Sequence, residues 1–275
     1  MIDKNIIKNL EKKSKELRKL IVETAGLAPA AHVPSALSAA DLVAALYFHI
    51  MEYDPQNPKW EGRDRFILSA GHKALVQYVA LTLKGVISKE KLDTFECHNS
   101  SLGGHPCHKT CEGVEVSTGS LGHGLSIASG MAYAAKSENK NYRIFVILGD
   151  GECNEGSVWE AAMSASLFKQ DNIVAIVDYN KNSVAYPISM PMEPFIDKWK
   201  SFGWACTEID GHNMEQIVTT LEKVPFEKGK PSAIVANTIK GKGVPFAENN
   251  PKWHSSNWNK EIIQKALQEI ETTYQ

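Results

Sequence analysis

Two polar side chains close neighbouring apolar runs in RIFVILGDGECNEGSVWEAAMSASLFKQDNIVAIVDYN, residues 143–180. Asp150 follows the run Ile144 to Leu148 inside Gly149-Asp150-Gly151, and Asn180 ends the run Ile173 to Val177 through Asp178-Tyr179. One carboxylate, one amide and nearby backbone carbonyls are hard oxygen donors, too few to cage a cation alone. They suffice for Mg²⁺ or Ca²⁺ once a ligand's phosphates complete the shell, so the implied ligand is a diphosphate. Gly-Asp-Gly after a strand also suits phosphatases with Mg²⁺ and an aspartyl nucleophile, and the rest of the chain must discriminate.

Both runs are continuously apolar and read as buried parallel strands. Between them a helix is expected from Asn154, its N-cap, to Phe168, with Val158, Trp159, Ala162, Met163 and Leu167 at three- and four-residue spacing. A right-handed strand–helix–strand crossover brings both strand ends to one sheet edge, where ligands of open α/β sheets bind. The alternation extends both ways. A helix is expected over 4–23, a helix from Ala39 to Ile50 capped by Ser38, and a strand from Arg65 to Ser69 turning through Ala70-Gly71-His72 into a helix ending near Leu83. Ser88 caps a short helix reaching Phe95, and Gly119 to Gly124 leads into a small-residue helix through Ala135. Later come helices at 194–202 and 214–224, the latter with Asp210 in its N-cap region, strands at 205–209 and 232–238, and a terminal helix from Asn259. The expected fold is α/β, a mostly parallel central sheet flanked by helices, as one domain over residues 1–275.

Composition narrows the function classes. The chain has 275 residues, a net charge of −2 and 23% charged residues without a long run of one sign, which argues against nucleic acid as the main partner. No apolar stretch approaches membrane-spanning length and the N-terminus lacks an apolar signal region, so a cytoplasmic location is expected. Five cysteines (97, 107, 111, 153 and 206) do not suggest a disulfide framework. His105, Cys107, His108 and Cys111 are metal-ligand types, but zinc normally needs a second close pair and none is evident; a surface loop with reduced thiols is the preferred reading.

Several segments then act together. Residues 63–72 (RDRFILSAGH), Gly104-His105-Pro106, Gly119-Ser120-Leu121-Gly122-His123-Gly124, the Gly-Asp-Gly unit ending at Asn180, Lys240-Gly241-Lys242-Gly243 and Trp253-His254 occur in the order found in transketolases. Across almost its whole length the chain resembles that family, and phosphatases do not share the series. The resemblance implies a thiamine-diphosphate-binding fold and a metal held by Asp150, Asn180 and the carbonyl of Asn182, with Mg²⁺ as the ion and Ca²⁺ or Mn²⁺ as substitutes. It implies cofactor contacts from His72, Gly119, Ser120, Leu121, Asp150, Gly151, Glu155, Asn180 and His254. His32, His72, His105 and His254 become candidate catalytic imidazoles, and Glu155 and Glu160 match carboxylates at the interface between active sites.

Two departures stand out. Ala31-His32-Val33-Pro34 replaces the usual Gly-His-Pro-Gly, and Ser255 stands where a glycine commonly follows the late histidine. Full-length family members also carry a second domain whose glutamate protonates the cofactor's aminopyrimidine. The resemblance thus implies the N-terminal subunit of a two-chain transketolase, passing a two-carbon unit from a ketose phosphate donor to an aldose. It would act with a complementary C-terminal subunit, as a dimer of heterodimers. A subunit of another thiamine-diphosphate enzyme, of deoxyxylulose-phosphate-synthase or 2-oxoacid-dehydrogenase type, or a non-catalytic binding subunit, are the alternatives.

Overall fold

Five runs rich in Ile, Val, Phe and Ala pair into one sheet in a computed structural model that describes residues 2–28, 31–182, 190 and 192–274. The strands are β1 (Arg65–Leu68), β2 (Ile144–Gly149), β3 (Ile173–Tyr179), β4 (Ala205–Asp210) and β5 (Ser232–Asn237), in the order β1-β2-β3-β5-β4. Each neighbouring pair is parallel. Every residue of β2 and β3 is buried, which is why their sequences are continuous rather than alternating. Gly149 lies opposite Asp178, Leu68 opposite Ile147 and Tyr179 opposite Asn237. The chain therefore leaves β1, β2, β3 and β5 along one carboxyl edge.

The sheet divides two apolar cores. Phe145, Ile147, Val174 and Ile176 face the first, filled by α1 (Lys4–Ala25), α2 (Val33–Ser38), α3 (Ala40–Ala45), α4 (Ala74–Leu83) and α5 (Lys89–Leu92). Ile144, Val146, Ile173, Ala175 and Val177 face the second, filled by α6 (Gly124–Ser137), α7 (Gly156–Leu167) and α8 (Phe195–Ser201). Helices α9 (Met214–Leu221) and α10 (Lys260–Thr273) complete the first. This alternation of inward faces is the two-residue period of a strand.

Several expected caps move. Pro34 starts α2 early, so Ser38 ends that helix instead of capping the next, and its hydroxyl lies 2.5 Å from Asp178 Oδ2. Asn154 does not cap α7: a 3₁₀ turn, Gly151–Asn154, comes first, pinned where Trp159 Nε1 donates to the Cys153 carbonyl at 2.9 Å. Glu155 occupies the cap position. Asn213, not Asp210, caps α9, accepting from the Gln216 amide at 3.0 Å. Ser88 does cap its helix. Met163 and Leu167, expected on the apolar face of α7, are 52% and 75% exposed, because its buried stripe is made by Val158, Ala161, Ala162 and Ala165. Residues 181–193, between Asn180 and the next helix, lie mostly outside the described residues.

A buried polar knot fixes the segment after β5. The Arg18 guanidinium pairs with Asp41 at 2.6 Å, and Asp41 Oδ2 lies 2.7 Å from His212 Nδ1. His212 Nε2 accepts from the Ile239 amide at 2.8 Å, while Arg18 Nε donates to the Lys242 carbonyl at 3.1 Å. With Nε2 accepting, Nδ1 carries the proton toward Asp41. Helices α1 and α3 thereby hold the turn that carries Lys240.

Candidate active site

A cleft of about 390 Å³ opens at the carboxyl edge of the sheet, with Asp150 and Asn180 in its lining. Asp150 is 2% exposed; its two oxygens accept from the Gly151 amide at 2.8 Å and the Lys181 amide at 2.6 Å. Lys181 reaches this position at φ +61°, a turn conformation that aims its N–H back at the carboxylate. Burial, and then the neighbouring Asp178, push the Asp150 carboxyl up to about 6. Asn180 Oδ1 accepts from the Asn182 amide at 3.1 Å, and the Asn182 side chain donates to the Asn180 carbonyl at 2.6 Å. Asp150, Asn180 and Asn182 thus line one wall, as a hard-cation donor set requires.

Three imidazoles from three loops meet above them. The His32 ring centroid lies 5.5 Å from that of His72 and 5.0 Å from that of His254, and His72 and His254 are 6.3 Å apart. Burial, with help from nearby cationic groups, drives His72 down to about 2 and His254 down to about 4, and lowers His32. They are neutral hydrogen-bonding groups at physiological pH. His105 lines the same cleft from an exposed position, its carbonyl accepting from the Tyr78 hydroxyl at 3.0 Å.

Sequence reasoning missed three charged lining groups. Lys73, 2% exposed, donates to Asp178, which also takes hydroxyls from Ser38 and Thr238. Glu152 accepts from the amides of Gly122 at 2.9 Å and Gly149 at 3.0 Å and from the Ser69 hydroxyl, so one carboxylate joins the ends of β1 and β2 to the Gly119–Gly122 turn. Lys240, 5% exposed, puts Nζ 2.7 Å from His254 Nδ1; burial, then Lys73, bring this ammonium down to about 8. Only Lys240 carried a signal, the Lys-Gly turn.

The cleft suits a diphosphate with a hard cation. Gly119 sits at φ +140°, where an added Cβ would come 2.9 Å from His105 Cδ2, so only glycine lets the turn close against that ring. Asn154 lines the cleft, and its buried Oδ1 has no partner among the described residues. Gly151 and Leu121 line it too. Ser120 does not: it lines a separate depression of about 300 Å³ with His123 and Ser126. Glu155 and Glu160 are exposed at the start of α7, outside the cleft. Among the described residues no group of three or more His, Cys, Asp or Glu is placed to hold a metal.

Comparison with known proteins agrees with this geometry. Residues 10–272 match the family described as transketolase, thiamine diphosphate binding domain. The chain is 42% identical to a 6-deoxy-6-sulfo-D-fructose transketolase subunit of Clostridium sp. (strain MSTE9), covering 96% of each chain. It is 41% identical to an apulose-4-phosphate transketolase subunit of Phocaeicola vulgatus, over 96% of this chain and 94% of that one. Transketolase from Leishmania mexicana superposes with a TM-score of 0.89 at 28% identity, over 96% of this chain but 41% of that longer protein.

Proposed function

Because this chain belongs to the transketolase family, aligning along its thiamine-diphosphate-binding domain, we propose that it is the N-terminal subunit of a two-chain transketolase. On this reading residues 1–275 are one diphosphate- and metal-binding domain. The observation that carries it is the meeting of His32, His72 and His254 over a cleft that Asp150 and Asn180 enter from adjacent parallel strands. The subunit-length matches favour it over other thiamine-diphosphate enzymes, or a binding protein that has merely kept the fold.

Asp150, Asn180 and the Asn182 carbonyl hold Mg²⁺, with Ca²⁺ or Mn²⁺ as substitutes. His72, Gly119, Leu121, Gly151 and His254 contact the cofactor. When bound, thiamine diphosphate supplies the nucleophilic carbon and the electron sink for breaking and remaking the bond beside a ketose carbonyl. The chain's own part is to orient and to hydrogen-bond. His72, neutral across the physiological range, positions oxygens without adding charge. His32, His105 and His254 donate to or accept from substrate hydroxyls where alkoxide character develops. Glu155 and Glu160, exposed on α7, meet the other chains of an assembly in which a complementary subunit contributes its glutamate to the aminopyrimidine. The substrates are a ketose phosphate donor and an aldose acceptor, the assembly a dimer of heterodimers, and the location the cytoplasm. Among the described residues no helix is long and apolar enough to cross a membrane. The test is titration calorimetry of the chain with thiamine diphosphate and Mg²⁺, followed by a ketol-transfer assay with and without the complementary subunit. Binding without turnover by the chain alone, and turnover on mixing, is expected. Absence of cofactor binding would sink the reading.

A further inference from the structure

Lys73 enters the cleft where β1 gives way to α4, at the end of the 3₁₀ turn Gly71–Lys73. Its side chain is 2% exposed, and an ammonium so buried is costly unless its charge and its donors are used. The charge is met by Asp178, itself wholly buried. The donors are not all used: an ammonium has three N–H bonds, and among the described residues Asp178 is its hydrogen-bonding partner. Asp178 also takes hydroxyls from Ser38 and Thr238, so it is shared among three donors and leaves the remaining Lys73 N–H bonds to other acceptors. Of the other carboxylates nearby, Glu152 is committed to two backbone amides and a hydroxyl, and Asp150 to two backbone amides. Lys73 therefore keeps donor capacity facing a cavity that a second ammonium, Lys240, also lines.

Charge balance points the same way. A divalent cation beside Asp150 leaves one net positive charge, which falls short of a diphosphate ester, whose charge is more negative than that. Lys73 and Lys240 together balance Asp178 and Glu152, so without Lys73 the foot of the cleft would carry no net positive charge toward the anion. We propose that Lys73 is a direct ligand of the cofactor's diphosphate, adding a fixed ammonium to the metal site at the foot of the cleft. The proposal rests on the functional reading above. Through Asp178, the same ammonium is locked to β3, so the anion is met by a cation that needs little reorganisation on binding.

Removing Lys73 alone would strand a buried carboxylate, so the variant of choice is the pair K73M/D178N, with K73R as the charge-preserving control. Binding of thiamine diphosphate and of inorganic pyrophosphate is measured by calorimetry at saturating Mg²⁺. Melting temperature is recorded with and without each ligand. The pair variant should bind both ligands about ten- to a hundredfold more weakly, the range for loss of a charged hydrogen bond, and its ligand-induced rise in melting temperature should shrink. K73R should recover part of the affinity. Binding within twofold of wild type by the pair variant would overturn the proposal and leave the functional reading intact. A wild-type chain that binds neither ligand would overturn both. If the pair variant does not fold, ¹⁵N-lysine NMR of the wild type decides. The Lys73 ammonium signal, assigned by its loss in K73R, must shift on adding pyrophosphate with Mg²⁺, and a signal that stays put refutes the contact.

Discussion

The imidazoles of His32 and His254 meet edge to face, their centroids 5.0 Å apart and their planes at 87°. One ring comes from the turn before α2, the other from the segment before α10, and both look into the same cleft. Residues more than two hundred positions apart thus become a single polar surface, and its parts can be separated by mutation.

His105 lines the cleft from an exposed position and carries no structural hydrogen bond from its ring among the described residues. His105→Ala should leave the melting temperature and cofactor affinity near wild type. Turnover of the assembled enzyme should fall about a hundredfold, the scale of a lost general acid or base. Steady-state kinetics beside calorimetric affinity would separate the two, and unchanged turnover would remove His105 from the chemistry.

Gly119→Ala should be worse than its size suggests. The added methyl would meet His105 at 2.9 Å in a backbone conformation that L residues rarely adopt. A stability loss of about 1–3 kcal/mol in urea denaturation is expected, together with weaker cofactor binding. A fully stable variant with normal affinity would show that the turn need not hold this form.

Asp150→Ala removes a charged oxygen donor and frees the amides of Gly151 and Lys181. Metal-dependent affinity for thiamine diphosphate should fall at least about a hundredfold, and chelation of the metal from the wild type should have a similar effect. Calorimetry across a Mg²⁺ series reads both, and an undiminished metal dependence in the variant would place the ion elsewhere.

Acidification should loosen the fold through His72. Its ordinary value is 6.5, and burial first, then Lys73, hold it near 2 in the folded chain. Below about pH 6.5 the unfolded chain takes up a proton that the folded chain refuses, so stability falls as pH drops from 6.5 toward 2. The slope from this residue approaches about 1.4 kcal/mol per pH unit. Urea midpoints between about pH 7 and pH 5 should show it, and His72→Asn should flatten the curve. An equal slope in both proteins would assign the effect to other groups.

How much of this could be read from the chain varied with burial. The strands ending at Asp150 and Asn180 were legible because both faces of β2 and β3 are covered, leaving a continuous apolar run. The gathering of His32, His72, His105 and His254 was legible only through the order of loops, since spacing alone joins none of them. Lys73 was invisible because a lysine at a helix start reads as solvated, and nothing local shows that Asp178 waits 105 residues away. Glu152 was hidden for a related reason: its partners are backbone amides of two other segments. The cap misplaced onto Ser38 had a plainer cause, the pull of Pro34 on the helix start.

The knot at Arg18 bears on how this polypeptide can be handled. Tyr274 lies over the Arg18 guanidinium at 5.0 Å, and Lys15 donates to the Tyr274 carbonyl at 3.0 Å, so α1 and the end of α10 clasp one another behind the turn carrying Lys240. Trimming either helix, or splicing a rigid fusion onto it, would be felt as play in a catalytic-edge loop rather than as a missing appendage. Anyone engineering this chain should treat its first and last helices as the hinge pins of the cleft and place tags on the exposed surface elsewhere.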